Sequence, residues 1–418
     1  MAKRPDIYLD TIVKALTAQL REHLKSIVIG KLTQAGVQAD AAQTDALVDH
    51  IFSGKEEPFT WNDGGPREPS RDISLSFNDD DIADIDKLVK KIFDRLPAIT
   101  RTASANIAGA VFKDSMTRWP AQHADEVSAH QGFRDRLEER WGRAFAPLRM
   151  LRTISIDIGR EALKRHLKSR SKQQQLLREV LLRLHSRACQ VTGEIVTLIE
   201  NGYADGAMAR WRTLHEISVV AWVLDEFGEE IAERYLAHDA VESKKGLDVY
   251  LETRPGQKDF SDKDVRSVRK SFDAAVQRFG KDFANEYGWA SHHLKKPKPT
   301  FRDLEVVADK ALMRSPYKSA SYGVHAGVKG ISFRLGLMGN PGFLAGSSNA
   351  GFSEPGRLTG YAMVQLNLLV LNFRRVSFEK ILMIRQLGLL QRTIDRAFLR
   401  AERKLAYDET ERLKSKKS

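Results

Sequence analysis

The chain of 418 residues contains a single cysteine, Cys189. One cysteine excludes an intramolecular disulfide and a zinc site built from several cysteines of the same chain. A reducing, cytoplasmic environment is therefore expected. Cys189 falls in a helical run without a glycine-rich or strand–turn context, so we interpret it as a packing residue rather than a nucleophile.

Long hydrophobic runs are also lacking. The most apolar window, residues 360–373, contains Gln365 and Asn367 and is followed by a pair of arginines, so it falls short of the ~20 residues of a membrane-spanning helix. The N-terminal region is amphipathic and has no continuous apolar signal core. The sequence therefore predicts neither a membrane span nor a secretion signal.

Motifs of several enzyme classes are missing as well. The chain has no Walker loop, no dinucleotide-binding fingerprint, no protein-kinase set and no Gly-x-Ser-x-Gly elbow. Nucleotide-driven and serine-hydrolase chemistry are therefore disfavoured. Hydrophobic residues make up 42% of the chain and charged residues 29%, which is typical of a packed globular protein.

Helical periodicity is what the sequence has in abundance. Apolar residues recur every three or four positions through most of the chain, which predicts a mainly all-α protein, a helical bundle. Proline, glycine and acidic residues in 54–81 predict a loop or linker within an N-terminal helical region, residues 1–145. Residues 146–418 are expected to form a C-terminal helical domain. Within it, residues 329–352 are predicted to hold a small β-hairpin, turning at 339–342, or an irregular insertion.

Positive charge is concentrated in one stretch. The net charge is +12, and residues Arg160 to Arg187 contribute +7 of it, with nine basic residues against two acidic ones. Such a stretch could bind RNA or another polyanion. A solvated helical face is the alternative, and no aromatic residues are interleaved for base stacking.

Three runs of the sequence resemble a family of uncharacterised bacterial proteins. They are NGYADGAMARWRTLHEISVVAWVLDE at 201–226, IAERYLAHDAVESKK at 231–245, and YGWASHH at 287–293 followed by PYKSASYGVHAG at 316–327. The resemblance covers about residues 180–352. No activity is established for that family, so the resemblance implies a shared helical domain and no particular reaction.

Polar residues share one face of the helix within the first run. Arg212 and Glu216 are four residues apart, and His215 lies three residues after Arg212, so the three side chains project from the same side. An interhelical ion pair is the structural alternative to a catalytic role.

Two further groups carry candidate residues. Arg234, His238 and Glu242 are spaced by four, with Tyr235 alongside, and His325 lies between two glycines that allow the backbone to approach a ligand closely. A surface hydrogen bond is the structural alternative for the spaced residues. The expected catalytic residues are Arg212, His215, Glu216, His238 and His325, and the expected substrate-binding residues are Arg210, Arg234, Tyr235 and Tyr317.

Three functions remain open from these residues. The first is a metal-independent ribonuclease, because Arg210 and His215 resemble the Arg-x(4–6)-His signature of the HEPN class of helical nucleases. Residues five apart on one helix diverge by about 140°, so a broken helix or a homodimer would have to complete that site. An imidazole as general acid or base, with an arginine on the phosphate, would suffice for RNA cleavage.

The second function is a metal-dependent hydrolase, which would need a divalent metal ion as cofactor. Its expected ligands are Glu216, His238, Glu242 and His325, from helices distant in sequence. The third is a non-enzymatic helical binding or scaffold protein, in which the same charges only set the register of the bundle. The ribonuclease, which needs no cofactor, is placed first because the basic charge and the Arg/His cluster agree.

Overall fold

A computed structural model describes residues 7–55, 57–60, 72–169, 174–254, 259–338, 342–372 and 377–415. Throughout these ranges every regular element is a helix, which confirms the all-α prediction. No helix within them is long and apolar enough to cross a bilayer. The chain divides into two compact units, Met1–Asp125 and Glu126–Ser418, and each is described by itself.

The first unit contains α1 (Ile7–Gln34), α2 (Ala41–Phe52) and the early part of α3 (Asp79–Lys168). Asp40 begins α2 through a capping box, in which its side chain accepts from the Gln43 backbone N–H. The core of this unit is small and consists of Leu24, Val28, Leu32, Leu47 and Val48. In the loop predicted at 54–81, residues 57–60 and 72–78 are irregular, and residues 61–71 lie outside the described part.

The second unit begins with the later part of α3. The helices that follow are α4 (Gln175–Glu200), α5 (Ala204–Phe227), α6 (Glu229–Ala237), α7 (Asp239–Thr253), α8 (Asp262–Phe279), α9 (Phe301–Val307), α10 (Arg314–Tyr322), α11 (Val328–Ser332), α12 (Ser353–Leu371) and α13 (Phe378–Ser415). Trp141 and Phe145 of α3 are fully buried in the core of this unit. The division expected after residue 145 therefore falls inside α3, beyond the boundary at 125 and 126.

A glycine turn and a glutamate contact position the central helices. Gly228, at φ 79°, ends α5 and allows α6 to start in a new direction, because this φ suits glycine. Glu229, the first residue of α6, accepts hydrogen bonds from the backbone N–H groups of Leu176 and Leu177, both at 3.0 Å. The carboxylate thus satisfies two donors that α4 leaves open at its first turn.

A chain of buried polar side chains crosses the core from α4 to α3. His185 Nε2 donates to Asn367 Oδ1 of α12 at 2.8 Å, and Asn367 Nδ2 donates to Ser155 Oγ of α3 at 2.8 Å. At its other end, Cys189 Sγ lies 3.8 Å from His185 Nδ1. Burial raises the pKa of the Cys189 thiol to about 11, which agrees with a packing role.

The segment at 329–352 was expected to hold either a β-hairpin or an irregular insertion, and its described residues have the second form. Residues 328–332 form α11, Leu335–Leu337 is a short 3-10 helix, and residues 342–352 are irregular; the predicted turn at 339–341 lies outside the described part. No hairpin forms in the described part, because backbone N–H groups of this segment form hydrogen bonds with α5 and with the turn before α5. Asp205 accepts from the Leu335 N–H at 2.9 Å, and the Ser348 N–H donates to the Gly202 carbonyl at 2.9 Å.

Candidate functional site

The polar face of α5 meets α9 and α10. His215 is 2% exposed, and its Nε2 donates to Oε1 of Glu305, a residue of α9 that is 0% exposed, at 3.0 Å. The second oxygen of Glu305 accepts from Arg314 Nη1 at 3.0 Å. A buried carboxylate therefore joins an imidazole of α5 to a guanidinium at the start of α10, and both contacts are charge-assisted on the carboxylate side.

The neighbouring residues of the same face form a second set of contacts. The Tyr317 hydroxyl donates to Glu216 Oε1 at 2.6 Å, and Arg212 Nε lies 3.2 Å from the same oxygen. The Arg212 and Arg314 guanidinium groups lie 5.0 and 5.4 Å from the centroid of the Tyr317 ring. These six residues, Arg212, His215, Glu216, Glu305, Arg314 and Tyr317, are called the Tyr317 network.

Burial governs the protonation of the network. It lowers the pKa of His215 below its usual value of 6.5, against the opposing effect of Glu305. Burial, together with the hydrogen bond to Glu216, raises the pKa of Tyr317 to about 12. The imidazole is therefore neutral and the phenol protonated at neutral pH. Two guanidinium groups then face two carboxylates, so the formal charges of the network cancel.

A buried lysine adjoins the network. Lys310 follows α9, is 4% exposed, and holds its ammonium group 5.2 Å from the Trp222 ring centroid and 5.3 Å from that of Tyr361. Burial lowers the pKa of Lys310 to about 8. The positive charge of Lys310 also adds slightly to the lowering of the His215 pKa. The amine is thus held between two aromatic faces, which attract its charged form.

The residues expected around His238 form a separate cluster. His238 Nε2 donates to the Asn285 carbonyl at 2.9 Å, and Arg234 Nε donates to the Trp289 carbonyl at 3.0 Å. Tyr235 packs edge-on against the Trp289 ring. Glu242 is the exposed member, with its carboxylate 3.7 Å from His238 Nδ1. These contacts tie α6 to the segment at 281–290, which contains two short 3-10 helices.

The remaining expected residues lie elsewhere. His325 is exposed in the turn after α10, and its only described hydrogen bond runs from its backbone N–H to the Ser321 carbonyl. Arg210 turns toward α4, where its Nη2 lies 2.5 Å from Glu194 Oε2, whereas His215 turns toward α9. The Arg210–His215 spacing therefore does not bring the two side chains together within one chain.

The residues proposed as metal ligands do not converge. Glu216 belongs to the Tyr317 network, and His325 is exposed after α10. His238 and Glu242 belong to the separate cluster at the end of α6 and the start of α7. Among the residues that the structure describes, no group of three or more His, Cys, Asp or Glu side chains could hold a metal ion. The alternative ligand set, Glu216, His238, Glu242 and His325, is therefore divided among three places in the described part of the chain.

Two members of the network were missed by the sequence analysis. Glu305 contacts His215 at a sequence separation of 90, and Arg314 reaches Glu305 from the next helix. Glu305 has no helical spacing to another candidate, whereas Arg314 lies three residues before Tyr317 on α10. For Glu305, the signal in the sequence was the placement of a carboxylate between apolar residues in FRDLEVV, the sequence of α9.

Ion pairs occupy much of the basic stretch at 160–187. Arg160 pairs with Asp157, Arg165 with Glu161, and Arg183 with Glu179, in each case three or four residues along the same helix. Arg187 lies 3.7 Å from Glu194. Arg170 and Lys172 lie outside the described residues. The charge presented outward is therefore smaller than the sequence count suggests.

Comparison with known proteins gives one match. Residues 178–343 match the model of a family of unknown function, DUF5677. The three runs that carry the resemblance all fall within this segment, so the resemblance to an uncharacterised family is confirmed, and no resemblance to the HEPN class is shown. No curated protein and no solved structure matches the chain.

Proposed function

We propose that the chain is a non-enzymatic helical binding protein and that the Tyr317 network joins α5 to α9 and α10. The observation that supports this proposal is that each charged group of the network lies beside an opposite charge inside the protein; Arg212 Nε lies 3.2 Å from Glu216 Oε1 but makes no hydrogen bond within the described part of the chain. Glu305 is shared by His215 and Arg314, and Glu216 is shared by Arg212 and Tyr317. A site that acts on an external anion would instead leave a cation without an internal partner.

The burial of His215 supports the same conclusion. Its imidazole is 2% exposed and directs Nε2 at a carboxylate that is 0% exposed. A general acid or base must come within hydrogen-bond reach of a substrate proton, directly or through one water. Here the imidazole orients α5 against α9, and loss of either partner would leave a buried polar group unsatisfied.

A ribonuclease is the second candidate. The observation in its favour is the presence of two guanidinium groups, Arg212 and Arg314, on one phenol ring, both about one-third exposed. A phosphate that displaced Glu216 could be held by both arginines. The arrangement would need His215 to become accessible, and a homodimer could bring a second copy of Arg210 to the site.

The Tyr317→Phe variant tests whether the network stabilises the packing of the helices. The substitution removes the hydroxyl that donates to Glu216 and keeps the ring between the arginines, so we expect a loss of about 1–3 kcal/mol in the free energy of unfolding. Tyr322→Phe is the matched control, because the Tyr322 hydroxyl is on the same helix and makes an exposed contact with Lys329. We expect this control to unfold like the wild type.

The RNA assay completes the test. The full chain is incubated with single-stranded and structured RNA without metal, and cleavage is followed on gels. We expect none. Cleavage by the wild type that disappears in a normally folded Arg212→Ala or Tyr317→Phe variant would replace the binding proposal by the ribonuclease.

A further inference from the structure

A groove on the second unit runs along the later part of α3. Its first part lies between α3 and α13, has a volume of about 530 Å³ and is lined mainly by Pro147, Met150, Ile154, Met383, Leu387 and Leu390. Met150 of this wall and Leu389 at its edge are more than half exposed. This part is therefore an open apolar channel of the size that small ligands occupy.

The groove continues toward the end of α3 with different chemistry. The second part has a volume of about 640 Å³ and shares Ile154 and Met383 with the first. Its floor is apolar, whereas its far end carries Arg165, His166, Lys168 and Arg178. We call the two parts together the α3–α13 groove. Met150 and Arg165 are separated by fifteen positions of one helix, which corresponds to roughly 22 Å.

The charges at the far end are not balanced by ion pairs among the residues that the structure describes. Arg165 pairs with Glu161 at 2.8 Å, and Asp157, the other acidic residue of the lining, pairs with Arg160 at 3.1 Å. Lys168 and Arg178 make no ion pair with any residue in the described part of the chain. The far end of the groove therefore attracts an anion.

Arg178 provides a second, independent indication. Its Nε is buried and has no hydrogen-bond partner among the described residues, although the side chain lines the groove. A buried donor of a charged group without a partner is costly, and such groups in proteins usually meet a ligand or an ordered water. An oxygen of a bound anion at this end of the groove would satisfy the donor.

We propose that the α3–α13 groove binds a single-chain amphiphilic anion, an alkyl chain that ends in a carboxylate, sulfate or phosphate. The alkyl chain lies along Met150, Ile154 and Met383, and the anionic head contacts Arg178 and Lys168. An inorganic anion alone would leave the apolar channel uncovered, and a cationic amphiphile would meet like charge. This inference gives the proposed binding function a ligand class, but it rests on the groove alone and would stand if the Tyr317 network proved catalytic.

The first experiment compares heads and chains. Binding of dodecanoate to the full chain is measured by calorimetry below its micelle concentration, beside dodecyltrimethylammonium, acetate and inorganic phosphate. We expect saturable binding of dodecanoate, and binding of the cationic amphiphile and of the two small anions that is weaker by about tenfold or more, because each lacks the head contact or the buried chain. Equal binding of the two amphiphiles would overturn the proposal.

The second experiment uses matched variants. Arg178→Gln should weaken dodecanoate binding about tenfold or more, because it removes a charge-assisted contact. Arg183→Gln is the control, because Arg183 lies on the same helix, is mostly exposed and pairs with Glu179 outside the groove lining. Ile154→Trp should fill the junction of the two parts and abolish binding, whereas Thr153→Trp, on the exposed side of α3, should not.

Two outcomes would contradict the assignment. Melting curves establish that each variant is folded; unchanged binding by both Arg178→Gln and Ile154→Trp would show that the groove is not the site. Sedimentation with vesicles of anionic lipid distinguishes the source of the amphiphile. Binding to vesicles without binding of free dodecanoate would identify a membrane surface as the partner and overturn the proposal.

Discussion

The carboxylate of Glu305 is the residue on which the Tyr317 network depends most, and its replacement by alanine tests the network directly. Glu305 is 0% exposed and receives two hydrogen bonds of 3.0 Å, from His215 and from Arg314. Removing one partner of a buried charged pair costs about 3–5 kcal/mol. Arg314 is about one-third exposed and can turn to water, whereas His215 cannot. We therefore expect the lower end of the range, about 3 kcal/mol.

A second His–Glu pair of the same chain supplies the control. Glu242 is 59% exposed and lies 3.7 Å from His238 Nδ1. Exposed ion pairs contribute less than about 1 kcal/mol, so Glu242→Ala should unfold almost like the wild type. The two variants remove the same side chain from the same kind of partner. They differ in burial and in hydrogen bonding, because Glu305 accepts two hydrogen bonds of 3.0 Å whereas the Glu242 carboxylate lies 3.7 Å from the imidazole.

Thermal and urea unfolding, followed by far-UV circular dichroism, measure both variants. At about 2–4 °C per kcal/mol for a domain of this class, Glu305→Ala should lower the Tm by about 6–12 °C. A change in Tm below about 2 °C would refute the view that the network holds α5 against α9 and α10. Equal losses in the two variants would refute the argument from burial.

Three further predictions follow from single residues. Burial lowers the pKa of His185 below 6.5, so the stability that the neutral imidazole contributes is present above about pH 6.5 and is lost as the pH falls through the folded-state pKa. Urea unfolding of His185→Gln should therefore show a weaker loss of stability between about pH 7.5 and 5.5 than that of the wild type. Gly356→Ala would place a Cβ 2.3 Å from a buried phenylalanine of α13 and should lower the free energy of unfolding by about 1–3 kcal/mol. In Gly388→Ala the nearest neighbour of the new Cβ is a flexible arginine at 3.7 Å, so thermal unfolding should show no change or a gain of up to about 1 kcal/mol. If residues 160–187 bind RNA, Lys164→Gln should lower the affinity and its salt dependence in filter binding more than Arg160→Gln, because Arg160 is already paired.

Helical periodicity predicted most of the fold. The apolar stripe of α5 and the shared face of Arg212, His215 and Glu216 follow from a period of 3.6 residues, which acts over a few turns of one helix. The segment at 329–352 could not be predicted in the same way, because its backbone is held by Asp205 and Gly202 from distant parts of the chain. The sequence left a hairpin or an irregular insertion open there, and the described residues contain short helices and irregular backbone.

The candidate site was predictable only within single helices. Spacing placed Arg212 and Glu216 together, and their ion pair is present. Spacing within a helix cannot show which residue of another helix lies opposite, so Glu305 was missed and His325 was expected in a site with which it makes no described contact. For Arg210 and His215, the helical spacing was informative, because five positions of an unbroken helix direct the two side chains to different neighbours.

The burial of Cys189, at one end of the polar chain that leads to Ser155, allows local opening of the core around α4 to be followed by thiol modification. Because Cys189 is the only cysteine of the chain, is 8% exposed and has its pKa raised to about 11, we expect a thiol reagent to modify the protein mainly when α4 separates from its neighbours. The rate of modification then measures how often this part of the core opens under native conditions. No label, tag or introduced residue is needed, and the same measurement can be repeated in the presence of any ligand.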